Sequence, residues 1–353
     1  MATMLDVAKR ANVALSTVSY ALNGTRPISE ETRQRIYTAM QELGYTPHAL
    51  ARGLASKRSR IIALLFSTPE RGLGITELEF VISATNVAKE NSYHLVLWPS
   101  DMDDQTGLQE LINQGLLDGV ILMEVHLDDQ RVKMLREMEF PFSIIGRTQN
   151  NDGINFADID FENSIQIAVK YLVGLGHTKI AFLNHSQTEF VAQYGPAVRA
   201  QASFIEAMGA AGLEGITHFC GATPRAGYEA TRELLARHPD LTTLISMNDR
   251  ALPGVIHAIT DLKMCIPDDF SIISFVSSAR DSEMMVPPLT TMDSPGTELG
   301  RLGVELLLRQ LDSKQPLSVS QILIPCALVV RSSTGPAPDL AKRAAPKLIN
   351  TAA

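Results

Sequence analysis

Apolar positions follow one period up to residue 44 and another from Ile61 onward. In the first stretch they recur at helical spacing: Val7 and Ala8 supply a face that returns at Val18, Leu22 and Ile36. Thr3 with Asp6 three residues later is a helix-start signature, and Ser29 with Glu30 and Glu31 in the following turn is a second one. Gly44 comes directly after the last periodic residue, Leu43, where a helix would end. Three short helices are predicted, the middle one presenting small and polar side chains outward. From Ile61 short apolar runs alternate with amphipathic stretches. Strands are predicted at 61–66, 95–98 and 120–123 with helices at 78–91 and 108–114, and a further helix and strand end at Ile144-Ile145. The rhythm then restarts, with helices at 162–175, 196–211, 225–237 and 250–262 and strands at 179–183, 243–247 and 271–275. Such alternation implies right-handed crossovers onto parallel sheets, and two doubly wound halves are the simplest arrangement. A ligand cleft between the halves, at the carboxyl ends of the strands, follows as an expectation.

Charge divides the chain at the same place. Residues 1–60 hold nine basic side chains against four acidic ones, so this part is +5 in a chain of −8 overall and the remainder is −13. A small basic module on an acidic body suits contact with a phosphate backbone, which attracts the one and repels the other. Three helices whose middle one carries an outward polar face have the layout of a helix-turn-helix reader, where the second helix enters the major groove of DNA.

Composition narrows the class further. At 353 residues and 45% hydrophobic content the chain can bury large cores and should divide into two or three units. Cys220, Cys265 and Cys326 are far apart and lack metal-ligand spacing, which argues against a disulfide framework or a zinc site and for the cytosol. Neither an apolar leader nor a membrane-length apolar run is present, so a cytoplasmic protein without a membrane span is expected, and no cofactor is called for. An enzyme on a doubly wound fold is disfavoured because GxxxxGK[ST], a strand-linked GxGxxG, GxSxG and HExxH are all missing. A free sugar-binding protein is the other alternative, and the basic N-terminal module argues against it.

The run Asp6-Val7-Ala8-Lys9-Arg10-Ala11, with Ser16-Thr17-Val18-Ser19 and Tyr20-Ala21-Leu22-Asn23, resembles the headpiece of the LacI/GalR family of bacterial transcription regulators. Residues 45–54 resemble the family's linker, and Gly176-His177-Thr178-Lys179-Ile180-Ala181, Asn248-Asp249 and Pro287-Pro288-Leu289-Thr290-Thr291 match landmarks of its effector-binding core. The resemblance implies an all-α helix-turn-helix headpiece over 1–46, a hinge helix and linker over 47–60, and a periplasmic-binding-protein-like α/β core over 61–334. The core would consist of two doubly wound parallel-sheet subdomains, 61–160 with 291–320 and 161–290 with 321–334. Composition rather than resemblance speaks for 335–353, whose Ala-, Pro- and Lys-containing run has little apolar periodicity and is expected to be a disordered tail. Implied partners are double-stranded operator DNA, a small carbohydrate effector and a second copy of the chain, in a repressor rather than an enzyme.

The resemblance also assigns residues. Leu15, Ser16 and Tyr20 would read base edges, Thr17, Ser19 and Asn23 would lie nearer the backbone, and Ser29, His48 and Ala49 complete the DNA-facing set. The alternative for Leu15 and Tyr20 is packing within the three helices. Ala14 stands where family members usually carry a Ser or Thr that caps the recognition helix. Leu54, paired with its counterpart in a second subunit, would wedge into a minor-groove step. Arg147, Asp160, Arg199, Asn248 and Asp249 would meet the effector, since Arg donates and Asp accepts in the fixed geometry that suits a polyol. At Phe275-Val276-Ser277 family members often have an aromatic followed by two aspartates.

Overall fold

The computed structural model describes residues 2–23, 26–45, 58–66, 73–99, 106–313 and 318–340. The N-terminal module consists of α1 (Met4–Arg10), α2 (Leu15–Asn23) and α3 (Glu30–Leu43). Its boundaries are set by the residues the sequence singles out. Asp6 Oδ2 accepts from Thr3 N at 2.9 Å while Thr3 Oγ1 accepts from Asp6 N at 3.3 Å, so two otherwise orphaned donors at the start of α1 are paired reciprocally. Ser29 Oγ accepts from Thr32 N, and Gly44 ends α3 with φ +59°, a left-handed conformation that costs glycine little. Val7, Val18 and Ile36 are completely buried and hold the three helices around one small core.

The first half of the core is an entirely parallel sheet. It comprises β1 (Ile61–Phe66), β2 (His94–Pro99), β3 (Gly119–Leu122), β4 (Phe142–Ile145), β5 (Phe156–Ile159) and β11 (Gln321–Ile324), in the order β11-β5-β4-β3-β1-β2. Helices α4 (Ile75–Glu90), α5 (Thr106–Asn113), α6 (Gln130–Glu137) and α13 (Gly296–Asp312) belong with it. The second sheet comprises β6 (Ile180–Asn184), β7 (Ile216–Phe219), β8 (Thr243–Ser246), β9 (Ser271–Ser277), β10 (Thr290–Asp293) and β12 (Ala327–Val329), in the order β12-β10-β9-β8-β6-β7, with only β12 antiparallel. Its helices are α7 (Phe161–Gly174), α8 (Gln187–Val191), α9 (Gly195–Ala210), α10 (Pro224–Arg237), α11 (Leu252–Asp261) and α12 (Ala279–Glu283). The central strands are buried on both faces, and they are apolar except for residues at their ends.

Two expectations about connectivity need correction. Thr290–Asp293 does not return to the first half: it pairs with β9 in the second sheet, and Thr290 N donates to Ser333 Oγ. Residues 321–324 conversely join the first sheet beside β5. The chain therefore crosses between the halves three times, at Asp160, between Asp293 and Gly296, and between Ile324 and Ala327. The start of the tail is also ordered. Ala337 N donates to Leu175 O, and the fully buried His177 bridges Thr242 Oγ1 through Nδ1 and Gly335 O through Nε2.

Helices α10 and α11 approach until backbones touch. A Cβ built on Gly254 would lie 1.7 Å from Pro224 O, and one on Gly227 would lie 2.1 Å from Ala251 O. Neither obstacle is a side-chain tip that could swing away. Gly254→Ala should therefore destabilise the chain by about 3 kcal/mol, the upper range for overpacking, and thermal unfolding of the variant measures it. A melting temperature within a degree or so of the parent would contradict this close approach.

Candidate functional site

Between the two halves lies a cleft of about 760 Å³, open mouth included, lined from both sides. Its polar corner is built where β4 and β5 end. Arg147 follows β4, and Asp158 lies near the end of β5, side by side with it in the parallel sheet. Arg147 Nε stands 3.6 Å from Asp158 Oδ2, beyond hydrogen-bond distance. Burial pushes the Asp158 carboxyl up to about 6, against the opposing pull of Arg147 and Arg199, and burial lowers Arg199 to about 10. Arg199 projects from α9, and its Nη2 donates to Thr148 O at 3.0 Å, tying the second half to the first. Apolar surface comes from Phe80, Met123, Phe161 and Leu299, and Glu77, Glu124 and Asp249 add three more carboxylates to the lining.

Of the residues the sequence pointed to, Arg147, Arg199 and Asp249 meet in this cleft. Asp160 and Asn248 lie outside this lining. Asp160 is the N-cap of α7, its Oδ1 accepting from Asn163 N at 3.0 Å. Asn248 is 1% exposed and donates through Nδ2 to Cys220 O, bracing the loop after β8. Asp158, Thr76, His185 and Tyr194 line the cleft without having been singled out. Asp158 was the most accessible of these to sequence reasoning: a charged residue inside an otherwise apolar strand run, two places before a helix cap.

Val276 also lines the cleft, with φ +54°, a conformation uncommon for a β-branched residue. It is the extra residue of a bulge, since Met292 opposes Phe275 while Asp293 opposes Ser277. An apolar side chain therefore faces the cleft where the resemblance leads one to expect an aspartate.

Both rims of the cleft are fastened across the halves. On one side Gly195 N donates to Val125 O at 3.1 Å and Leu127 N to Gln193 O at 2.8 Å. On the other, Ser278 Oγ donates to Glu79 Oε1 at 2.6 Å. The loop carrying Val125 is shaped from within by a completely buried ion pair. Arg131 binds Asp129 through Nε and Nη2 at 3.0 and 2.7 Å, and the same Nη2 reaches the carbonyls of Met123 and Glu124. Burial alone would raise the Asp129 carboxyl, but its bonds to Arg131 outweigh it and hold the group below the usual carboxylate range.

In the headpiece, Leu15 is 46% exposed and Ser16 is exposed, while Thr17, Ser19 and Tyr20 are half-buried. Leu15 is thus not core, whereas the Tyr20 ring faces the Arg26 guanidinium at 5.2 Å from its centroid. Ala14 offers α2 only its carbonyl, which accepts from Thr17 N and Val18 N. Ser29 is occupied as the cap of α3. Asn23 closes α2, and His48, Ala49 and Leu54 lie outside the described residues. Among the described residues no cluster of His, Cys, Asp and Glu could hold a metal ion, and no helix is long and apolar enough to cross a membrane.

A three-helix reading head joined to a two-lobed, clefted α/β core defines a ligand-responsive transcription regulator. Residues 3–48 match the family model for bacterial regulatory proteins of the lacI family, and 169–334 match that for a periplasmic-binding-protein-like domain. The chain is 30% identical over 340 residues to the HTH-type transcriptional repressor PurR of Mannheimia succiniciproducens, with 94% of this chain and 98% of the relative covered. It is 28% identical to catabolite control protein A of Priestia megaterium, covering 94% and 99%. This chain belongs to the LacI family of bacterial transcription regulators and is not an enzyme. Among solved structures it is similar to a complex of the transcriptional regulator CelR with cellobiose, at 25% identity and TM-score 0.71 over 94% of this chain and 100% of the other. It shares its fold with a lac repressor dimer bound to operator and the anti-inducer ONPF, at 24% identity and TM-score 0.81 over 95% and 99%.

Proposed function

We propose that this chain is a cytoplasmic, homodimeric repressor that binds operator DNA through its headpiece, with an affinity set by a sugar or sugar derivative held between the two halves of the core. The observation that carries the reading is the composition of the cleft: Arg147 and Asp158 from one half face Arg199 and Asp249 from the other, so a ligand touching both sides favours one relative placement of the halves. A ligand shifts an equilibrium only by such differential contact. Leu15, Ser16 and Tyr20 are the residues proposed to read bases, with Thr17, Ser19 and Asn23 nearer the phosphates and Ser29, His48 and Ala49 also in contact with DNA. The cellobiose complex of CelR supports a carbohydrate effector, and the operator-bound lac repressor dimer supports the DNA partner and the assembly. A gel shift on the DNA upstream of the chain's own gene, with and without candidate sugars, tests both halves of the proposal. Operator binding that no sugar alters would remove the effector part, and absence of specific binding would remove the whole.

Leu54, proposed to enter a minor-groove step, gives a sharper result. Leu54→Ala removes apolar area worth about 2 kcal/mol per subunit at ~25 cal/mol per Å², so specific operator affinity should fall by about ten-fold or more. Non-specific affinity and its salt slope, carried by Lys and Arg contacts with phosphates, should stay the same. Fluorescence anisotropy on operator and scrambled duplexes at two salt concentrations separates the two terms. Equal losses on both duplexes would show that Leu54 does not act at the DNA step.

A further inference from the structure

One rim of the cleft carries more than backbone bonds. Residues 124–129, after β3, lie against the segment between α8 and α9, where His126 and Tyr194 oppose each other as an antiparallel bridge. The bonds from Gly195 N to Val125 O and from Leu127 N to Gln193 O flank that pair. The side chains pack as well. The His126 ring lies 5.9 Å from the Tyr194 ring, centroid to centroid, and Tyr194 meets the His185 ring edge-on at 5.6 Å. Each backbone segment enters the contact through a non-glycine residue in the left-handed region, Glu124 at φ +55° and Gln193 at φ +62°, a conformation that persists where its surroundings enforce it.

His126 is the histidine that the first half brings to this rim, and histidine is the side chain whose charge changes near neutral pH. Its Nδ1 is buried and has no hydrogen-bond partner among the described residues. In the neutral ring that atom can be a bare acceptor, with the proton on Nε2, whereas in the charged ring it must carry a hydrogen that no oxygen accepts. The second state is the costly one, because an unpaired N–H of a buried cation forfeits its hydration. The charged groups that act on the ring are Asp129 and Arg131 of its own loop and Glu189 of α8, and His185, packed on Tyr194, has its Nδ1 3.9 Å from Glu189 Oε2. Arg131 engages both oxygens of Asp129, which limits what that carboxylate can offer the ring. Burial, aided by Arg131, outweighs the two carboxylates and holds His126 below its ordinary 6.5.

From this geometry we propose that the His126–Tyr194 contact is a proton-operated latch between the two halves: a neutral His126 seats it, and a proton on His126 releases it. Release gives the ring to water, where the charged form is no longer penalised, so proton uptake and separation of the rim drive each other. The direction follows. Closure favours the neutral ring, so the latch is made above 6.5 and is progressively lost as pH falls below it. Acidification thereby parts the halves at this rim with no small molecule present, and the latch does not depend on what the effector is.

Amide hydrogen exchange on the ligand-free full chain tests this, read at Leu127 and Gly195, the two donors of the rim, at about pH 7.5 and about pH 5.5 and corrected for the intrinsic pH dependence of exchange. With the open-state ring at 6.5, linkage caps the effect at about ten-fold one unit below it, so both amides should exchange several-fold faster at the lower pH while β3 and β8 keep their protection. Asp158, pushed up to about 6 in the cleft, titrates in the same range, and two variants separate it from the latch. His126→Gln, which cannot take up the proton, should hold the rim's protection constant, and Asp158→Asn should keep the parent's pH dependence. Exchange of the histidine C2 hydrogen in the unmodified chain gives the titration of His126 itself, which should fall below 6.5 and coincide with the loss at the rim. The proposal is overturned if His126 titrates at or above 6.5, if rim exchange ignores pH, or if the loss extends to β3 and β8 as acid unfolding. It is equally overturned if the response survives His126→Gln or vanishes in Asp158→Asn. Because C2 exchange needs no variant, a poorly folding substitution does not obscure the answer.

Discussion

Arg147→Ala should abolish the effector's influence on operator binding while the ligand-free protein holds operator within about three-fold of the parent. The expectation follows from position. Arg147 lines the cleft at the end of β4, and its guanidinium offers charge-assisted donors worth about 1.5–3 kcal/mol each when desolvated, so losing one weakens the effector by roughly ten- to a hundred-fold. Losing the whole side chain also leaves the buried Asp158 without its nearest cation, a cost present in the ligand-free protein as well as in the bound one. Asp249→Ala should reproduce the lost response from the other half of the core. Calorimetry for the effector and anisotropy for the operator check the two parts independently. Effector affinity unchanged in both variants would place the binding site elsewhere.

The second large effect concerns stability. Asp129→Ala should cost about 3–5 kcal/mol, because Arg131 would remain fully buried with its charge uncompensated. The loss would reach function through the loop after β3, since Arg131 holds the carbonyls of Met123 and Glu124 and Asp129 accepts from His126 N. A double variant, Asp129→Ala with Arg131→Met, removes both charges and should recover most of the melting temperature that the single variant loses. If the double variant melts no higher than the single one, the ion pair is not the origin of the loss.

The headpiece was legible because its signals are local. Thr3 with Asp6, Ser29 with its following acids and Gly44 after Leu43 each fix a helix end through contacts within four residues, and the structure uses each of them for that purpose. The alternation in the core was legible for a similar reason, since strands covered on both faces are largely apolar. Sheet membership was not. Residues 290–293 and 321–324 are short runs whose partners, β9 and β5, lie at some distance in sequence, and nothing in either run says which sheet it will join.

Site residues divided along the same line. Asp160 read as an effector ligand because it precedes a helix at a strand end, yet that position is also what an N-cap requires, and the nearby backbone donor of Asn163 takes the carboxylate. Asp158 faces the cleft instead, because a strand's side chains alternate and a residue just short of the strand's end still belongs to the sheet. Thr76, His185 and Tyr194 come from three other segments that only the tertiary fold brings together.

The three crossings between the halves carry a mechanical consequence. Each is no more than a few residues long, and the first and third are stitched together: Asp160 N donates to Ile324 O at 2.9 Å, and Cys326 N to Ser164 Oγ at 2.8 Å. Parallel straps this short resist stretching and shear and leave one soft motion, a rocking about the line that joins them. A small molecule pulling the lips together and a pair of headpieces settling onto their sites would then be turning the same axle. Stiffness of the axle, set by residues that touch neither ligand nor DNA, would become a gain control on how strongly one is felt by the other.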